Sequence, residues 1–227
     1  MAFSDRFDAI SLPPAEVRRL GEEAGAAVRH GRARFASRLG LEPGDVVFMR
    51  QVHGAEAGYV SGPDPGATPM DGMCTDQPGL ALAVLVADCA PVLLADARAG
   101  VVGVAHAGRS GISAGVIGSV VESMAGRGAE ASRTTALIGP CICAGCYEVS
   151  PELRAATAAA LPEAWATTRA GTAAIDLRAA VTAQLRRLGV TRVRHDHRCT
   201  AETPALYSYR REGPTGDFAG FVWLKPA

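Results

Sequence analysis

The sequence predicts a mixed α/β domain of α+β character, with strands and helices in partly separate runs. Three observations lead there. Between residues 80 and 108 lie three short apolar runs, LALAVLV, PVLLAD and VVGVAHAG, each bounded by breakers. Flanking them are longer stretches of helical composition, of which IDLRAAVTAQLRRLG (175–189) sets apolar residues on one face. The chain of 227 residues is 48% hydrophobic and 20% charged, which supplies a sizeable core for one domain spanning 1–227.

Residues 15–39, rich in Ala, Glu and Arg, read as helix, although internal glycines weaken the pattern. GDVVFMRQVHG reads as a strand ending at Gly54, and SGPDPGATPMDG (61–72) as a loop dense in Pro and Gly. The three apolar runs are too short for helices and partly β-branched, so they read as strands. The turn DARAG between the second and third predicts an antiparallel hairpin. Residues 110–128 read as a helix whose small residues allow close packing on a sheet, and TALIGP as a further strand. Pro151 opens a helix with Ser150 as its N-cap. In the helix over 175–189, Leu177, Val181, Leu185 and Leu188 share a face and Gly189 ends it. FAGFVWL (218–224) reads as a final strand paired in the sheet.

Composition excludes several classes of function. A formal net charge of zero argues against a globally basic nucleic-acid binder. No run of about 18 apolar residues is present, so no membrane helix is expected. The segment MAFSDRFDAI lacks the layout of a signal peptide, and a cytoplasmic location is expected. The six cysteines are then expected as reduced thiols, available as ligands, nucleophiles or small core residues.

The residues able to carry chemistry sit where apolar strands end. His53 closes QVHG, Cys89 follows the 80–86 run in ADCAP, and His106 closes the 101–108 run in AHAG. Imidazole and thiolate are favoured zinc ligands, and three protein ligands leave a fourth position for water or substrate. The same residues also read as hydrogen-bonded histidines and a small core thiol, because gaps of 36 and 17 residues match no local zinc-finger pattern. In RVRHDHRCT, strand alternation would put His195, His197 and Cys199 on one face, as a second metal set or as a polar strand edge. In GPCICAGCYEV, Cys143 and Cys146 have CxxC spacing. No second pair accompanies them, and a tight turn with buried thiols is the plainer reading. Arg32, Arg109, Arg210 and Arg211 are each able to hold a phosphate or carboxylate by forked hydrogen bonds. Asp88, beside Cys89, either orients a ligand histidine or caps a turn.

Read together, QVHG, TDQPGLALAVLVADCAPVLLAD, GVVGVAHAG, IGPCI with YEV, CT-x-E and SYRREGPTG follow one another in the order of a known family. The chain resembles the YfiH laccase-domain family, also labelled polyphenol oxidases, over residues 46–224, with residues 1–45 as a divergent N-terminal segment. The resemblance implies a single α/β domain of layered sheets and helices, grouped with cytotoxic-necrotising-factor-like proteins. It implies a zinc-dependent purine nucleoside phosphorylase acting on adenosine, inosine, guanosine and methylthioadenosine, with adenosine deaminase activity. Purine nucleosides and inorganic phosphate are then the partners, and a monomer is expected. The family's zinc ligands and catalytic residues fall on His53, Cys89 and His106, and its substrate-binding arginine on Arg32. The family's HAGWRG is HAGRSG here, and its TGR is TGD, so that Asp217 reverses a charge.

Three rival classes remain at this point. Cys89 activated by His106 would make a Cys-His hydrolase. Copper at the same three ligands would make a polyphenol oxidase, although five histidines are few for a multicopper centre. A non-catalytic partner or scaffold protein would tolerate the altered HAGRSG and TGD motifs.

Overall fold

The computed structural model describes residues 1–63 and 68–226. Its strands, in chain order, are β1 (Ala2–Phe3), β2 (Val46–Phe48), β3 (Ala57–Tyr59), β4 (Gly72–Thr75), β5 (Ala81–Val86), β6 (Ala90–Asp96), β7 (Val101–Ala107), β8 (Thr135–Ile138), β9 (Trp165–Thr167), β10 (Ala173–Ile175), β11 (Arg192–His195) and β12 (Phe218–Trp223). The helices are α1 (Pro14–Leu20), α2 (Glu23–Arg38), α3 (Arg109–Ala114), α4 (Val116–Ala125), α5 (Pro151–Ala160), α6 (Leu177–Arg187) and α7 (Tyr209–Glu212). A six-stranded sheet has the order β11-β8-β6-β7-β4-β3, a four-stranded sheet the order β1-β12-β5-β2, and β9 and β10 form a separate ribbon.

The expected hairpin is present: β6 and β7 run antiparallel with Val92 opposite Ala105. Period-two alternation then sorts its side chains into two layers. Val92, Leu94, Val101 and Ala105 face α4 and α6, where they meet Ile117, Val120, Met124, Val181 and Leu185. Leu93, Val102 and Val104 face the other way, against Leu82, Val84, Val86, Phe218 and Val222 of the four-stranded sheet. That sheet's outer face (Ala83, Ala219, Phe221) packs on Phe35 of α2, with the Phe35 and Phe221 rings 4.8 Å apart. The result is a helix–sheet–sheet–helix sandwich. Its inner layer lies between the two sheets, and His106 has the same parity as Val102 and Val104.

Several expectations need correction. The helix over 15–39 is two helices, because Gly21 adopts φ 54 between α1 and α2. The helix over 110–128 likewise breaks at Gly115, whose φ of 98 both ends α3 and starts α4. The strand over 44–54 is regular only at β2. Beyond it the chain leaves the sheet to form the loop that carries His53. Leu188 does not join the buried face of α6: it is 38% exposed, while Leu177, Val181 and Leu185 are buried. Strands β1, β3, β4, β9 and β10 carry weak or short patterns and were not expected. Part of the loop over 61–72 lies outside the described residues, and its end, from Gly72, is the first residue of β4.

Ser150 caps α5 as its sequence predicts, accepting the Leu153 N–H. Asp176 caps α6 in the same way through Ala179. Close approach of α4 to the six-stranded sheet explains Gly72 and Gly103. A Cβ at Gly72 would lie 2.2 Å from Val120 Cγ2, and one at Gly103 would lie 2.8 Å from Met124 Sδ.

Candidate active site

Three chain segments converge at one end of the inter-sheet layer. The first is the loop after β2. Gln51 ties it to the end of β5 by a reciprocal pair of bonds: its amide donates to the Leu85 carbonyl at 2.7 Å and accepts the Leu85 N–H at 2.8 Å. His53 then takes a left-handed backbone conformation, φ 60, unusual for a residue with a Cβ. The second segment is Ala87–Asp88–Cys89, where the chain crosses from the four-stranded sheet (β5) to the six-stranded one (β6). Asp88 sits there at φ 91. Strain of this kind persists only where surrounding contacts hold it. Here the Thr200 hydroxyl donates to Asp88 Oδ1 at 2.5 Å and the Arg210 N–H to Oδ2 at 2.7 Å. The third segment is the end of β7, which delivers His106 into the buried layer.

Together these place one atom each of His53, Cys89 and His106 within 4.8 Å of one another. The two imidazoles meet edge to face, with centroids 4.6 Å apart. Gly108 makes room for them, since a Cβ there would lie 2.9 Å from Cys89 Sγ and 3.3 Å from His53 Cδ2.

A fully buried carboxylate stands behind the histidines. Asp71 Oδ1 lies 2.7 Å from His106 Nδ1, which fixes that ring and leaves Nε2 for the pocket. Asp71 also accepts the backbone N–H groups of Val52, His53 and Gly54 at 3.1, 2.9 and 2.7 Å. One side chain thus orients His106 and shapes the loop bearing His53. Burial raises the Asp71 carboxyl, but bonds from His106, Gly54 and Val52 outweigh it and hold the group below the ordinary range. Burial likewise works against the charged forms of Cys89 and His106. Hydrogen bonds from His106 and His53 nevertheless bring the Cys89 thiol down to about 7. Asp71 and Cys89 raise the His106 imidazole to about 9.

Of the two roles the sequence offers Asp88, the structure shows the turn: Asp88 holds the crossover turn to Thr200 and Arg210, and Asp71 orients His106. Asp71 is missed in sequence because its pairing with His106 depends on β4 lying beside β7, with Gly72 opposite Ala105. The available signal was a lone Asp ahead of GMCT.

Two hollows that share His53, Ala87, Cys89 and Tyr209 flank the triad. One, of about 280 Å³, is lined by Ile142, Tyr147, Leu177, Tyr209 and Arg210 with His53 and Cys89. The other, of about 360 Å³, includes Gln51, His106, Thr215 and Asp217. A larger cavity of about 560 Å³ lies along α6 and is lined by His195, His197, Arg178 and Arg186. The convergence of ligand and nucleophile side chains, rather than volume, places the chemistry at the triad. His195 and His197 stack on each other, 5.6 Å between centroids, whereas Cys199 turns away to Cys143, so the three do not form one face.

Arg32 is not among the residues lining the triad's hollows. Its Nε donates to the Ile10 carbonyl at 2.9 Å, its guanidinium covers the Phe48 ring at 3.9 Å, and it lines a separate cavity beside α2. Its charge reaches the triad's pocket through Asp217. Burial raises the Asp217 carboxyl, against a bond from Ser11 and the attraction of His106 and Arg32. Cys141 is buried, and Ile142 and Tyr147 make the stretch after it a wall of the pocket.

The fold and this site define a layered α/β protein with a His–Cys–His donor set, backed by a carboxylate, between two sheets. The chain belongs to the family described as multi-copper polyphenol oxidoreductase laccase, whose match spans residues 1–225. It is 49% identical to the purine nucleoside phosphorylase ORF3 of Streptomyces griseus, over 98% of this chain and 93% of the relative. It is 47% identical to a purine nucleoside phosphorylase of Streptomyces coelicolor, over 98% and 94%. Among solved structures, the YfiH protein of Bacillus licheniformis superposes with a TM-score of 0.79 at 29% identity, covering 88% of this chain and 82% of that one. YlmD of Geobacillus stearothermophilus gives a TM-score of 0.79 at 32% identity, covering 88% and 81%.

Proposed function

We propose that this chain is a zinc-dependent purine nucleoside phosphorylase acting on adenosine, inosine, guanosine and methylthioadenosine, with adenosine deaminase as a second activity. The observation that carries the reading is the triad of His53, Cys89 and His106, with its donor atoms within 4.8 Å and Asp71 behind it. Relatives named purine nucleoside phosphorylase support the reaction class. The family resemblance alone supports deamination and the individual nucleosides.

Two imidazoles and a thiolate with a free direction toward the pocket fit zinc in its open, catalytic form. When bound there, zinc supplies Lewis-acid polarisation of the substrate. The chain's own residues do the rest. Tyr147 and Tyr209 line the pocket and supply aromatic surface for a purine. Arg210, whose backbone N–H is fixed on Asp88, is the arginine of the pocket and the nearer clamp for phosphate. Arg32 acts from farther off, through Asp217. In phosphorolysis the bond from C1′ to the purine nitrogen breaks, a bond from C1′ to a phosphate oxygen forms, and the departing purine takes up a proton. Asp217 lines the pocket, and burial raises its carboxyl, which makes it our candidate for passing that proton.

A second reading has one specific observation in its favour. Cys89, His106 and Asp71 stand in the order nucleophile, base, orienter, and the lowered thiol suits a cysteine hydrolase. A multicopper oxidase is less well served, since among the described residues His53 and His106 are the only histidines gathered in a metal-capable group.

The test is elemental analysis of the purified protein with product profiling on adenosine and inosine, with and without phosphate. Cys89→Ala is expected to lose the zinc of the triad and all nucleoside turnover. A Cys89→Ala protein with no metal at the triad that still turned over adenosine would overturn the proposal. Inactivation by alkylation with zinc retained would favour the hydrolase.

A further inference from the structure

A second constellation of ligand residues lies outside the triad. Cys143 and Cys146 bracket a tight turn in which the Cys146 N–H donates to the Cys143 carbonyl at 2.9 Å. Fifty-six residues after each stands a partner: Cys199 and Glu202. They bracket a second turn of the same kind, with the Glu202 N–H on the Cys199 carbonyl at 3.1 Å. The bridge between Cys141 and Cys199 brings the two turns side by side. One donor atom from each of Cys143, Cys146, Cys199 and Glu202 then lies within 4.8 Å of the others.

We propose that Cys143, Cys146, Cys199 and Glu202 form a closed, four-ligand site for a divalent cation of the zinc class, separate from the triad and structural in role. The spacing supports it. Structural zinc is gripped by paired ligands with two residues between them on tight turns, and two such pairs are what the fold assembles here, with Glu202 in the place of a fourth cysteine. The size supports it as well. Zinc–sulfur bonds of about 2.3 Å set tetrahedral edges of about 3.8 Å, so shifts of about 1 Å bring these donors onto one ion. Backbone support is already in place, since the Cys143 N–H points at Cys199 Sγ at 3.3 Å.

Charge decides the remaining point. Three thiolates and a carboxylate carry four negative charges, which a divalent cation halves. Arg169, whose guanidinium contacts the Glu202 carboxylate and lies 3.4 Å from Cys146 Sγ, offsets one of the two that remain. Arg169 therefore supports the site as a neighbouring counter-charge.

The placement gives the ion a task. The turn it would hold continues directly into Tyr147, and Arg210 donates to the Cys146 carbonyl at 3.3 Å. Thr200, next to Cys199, holds Asp88 in the crossover turn. A cation at the four residues would join two segments far apart in sequence and stiffen one wall of the triad's pocket.

The proposal is independent of the nucleoside reading, and its test avoids the triad. Cys89→Ala protein, reduced and titrated with Zn²⁺, is expected to bind one ion per chain, and wild type two. Replacing zinc by Co²⁺ in Cys89→Ala should give the strong sulfur-to-cobalt absorption of a multi-thiolate site. Glu202→Gln in that background is expected to weaken zinc binding by about tenfold or more, the loss seen when even a supporting partner of a ligand is removed. Zinc should also protect Cys143 and Cys146 from alkylation in the folded protein, a reading that needs no substitution at either cysteine. A Cys89→Ala protein that takes up no Zn²⁺ when reduced would overturn the site, as would unprotected Cys143 and Cys146 at saturating zinc. Nucleoside activity retained by Cys89→Ala protein with only this second ion bound would count against the triad reading alone.

Discussion

Asp71 is the residue on which the site turns, although it touches the pocket only through others. It is fully buried, carries a negative charge, and meets that cost with one imidazole and three backbone N–H groups. Removing the charge while keeping the shape isolates its role. Asp71→Asn is expected to fold and to bind zinc about 10–100-fold more weakly, as measured by competition with a chromophoric chelator. An unchanged affinity would show that His106 needs no carboxylate behind it. The three side chains of the triad were legible in the sequence because each follows an apolar run. Asp71 was not, because its partner is 35 residues away and meets it only through the β4–β7 register. Glu202 escaped for the same reason, since its neighbours Cys143 and Cys146 lie across a parallel crossover from β8 to β11.

At the scale of elements, the three central strands and the amphipathic helix α6 follow from apolar pattern and punctuation alone. The failures are equally physical. Glycines with positive φ broke two long helical stretches whose composition remained helical throughout. The short strands β3, β4, β9 and β10 are held by neighbours more than by their own residues, so pattern gave little notice of them. The end of α6 offers a direct measurement. Leu185 is fully buried between the helix and the six-stranded sheet, whereas Leu188, one turn on, is 38% exposed. Leu185→Ala is expected to cost about 2–5 kcal/mol in denaturant unfolding. Leu188→Ala should stay within about 0.5 kcal/mol. Similar losses at both positions would mean that Leu188 is covered in solution.

Across the whole molecule, two sheets share one buried layer and each is covered by helix on its far side. Carboxylates at the margins tie the layers together. Asp96, at the end of β6, is 1% exposed and accepts the N–H groups of Arg98, Ala99 and Glu130, with Arg133 beside it. Burial pushes its carboxyl up, but these bonds outweigh it and bring it down to about 2. A carboxyl that is more acidic folded than unfolded stabilises the fold above its unfolded value, and that contribution vanishes as pH falls through the folded one. Acid unfolding should therefore steepen between about pH 4 and pH 2. Asp96→Asn should flatten this part of the profile, and an unchanged profile would remove Asp96 as its source.

The pairing of β12 between β1 and β5 has a consequence in time. Ala2 lies opposite Phe221, and Phe218 opposite Val86, so the four-stranded sheet joins the two extremes of the sequence. During synthesis β5 emerges long before its antiparallel partner exists, and its apolar inner edge waits for residues translated more than a hundred codons later. Contacts of such separation form slowly, because the entropy of closing the chain must be met before they contribute. The wall of the pocket that β5 supports is thus completed only once β12 has been made.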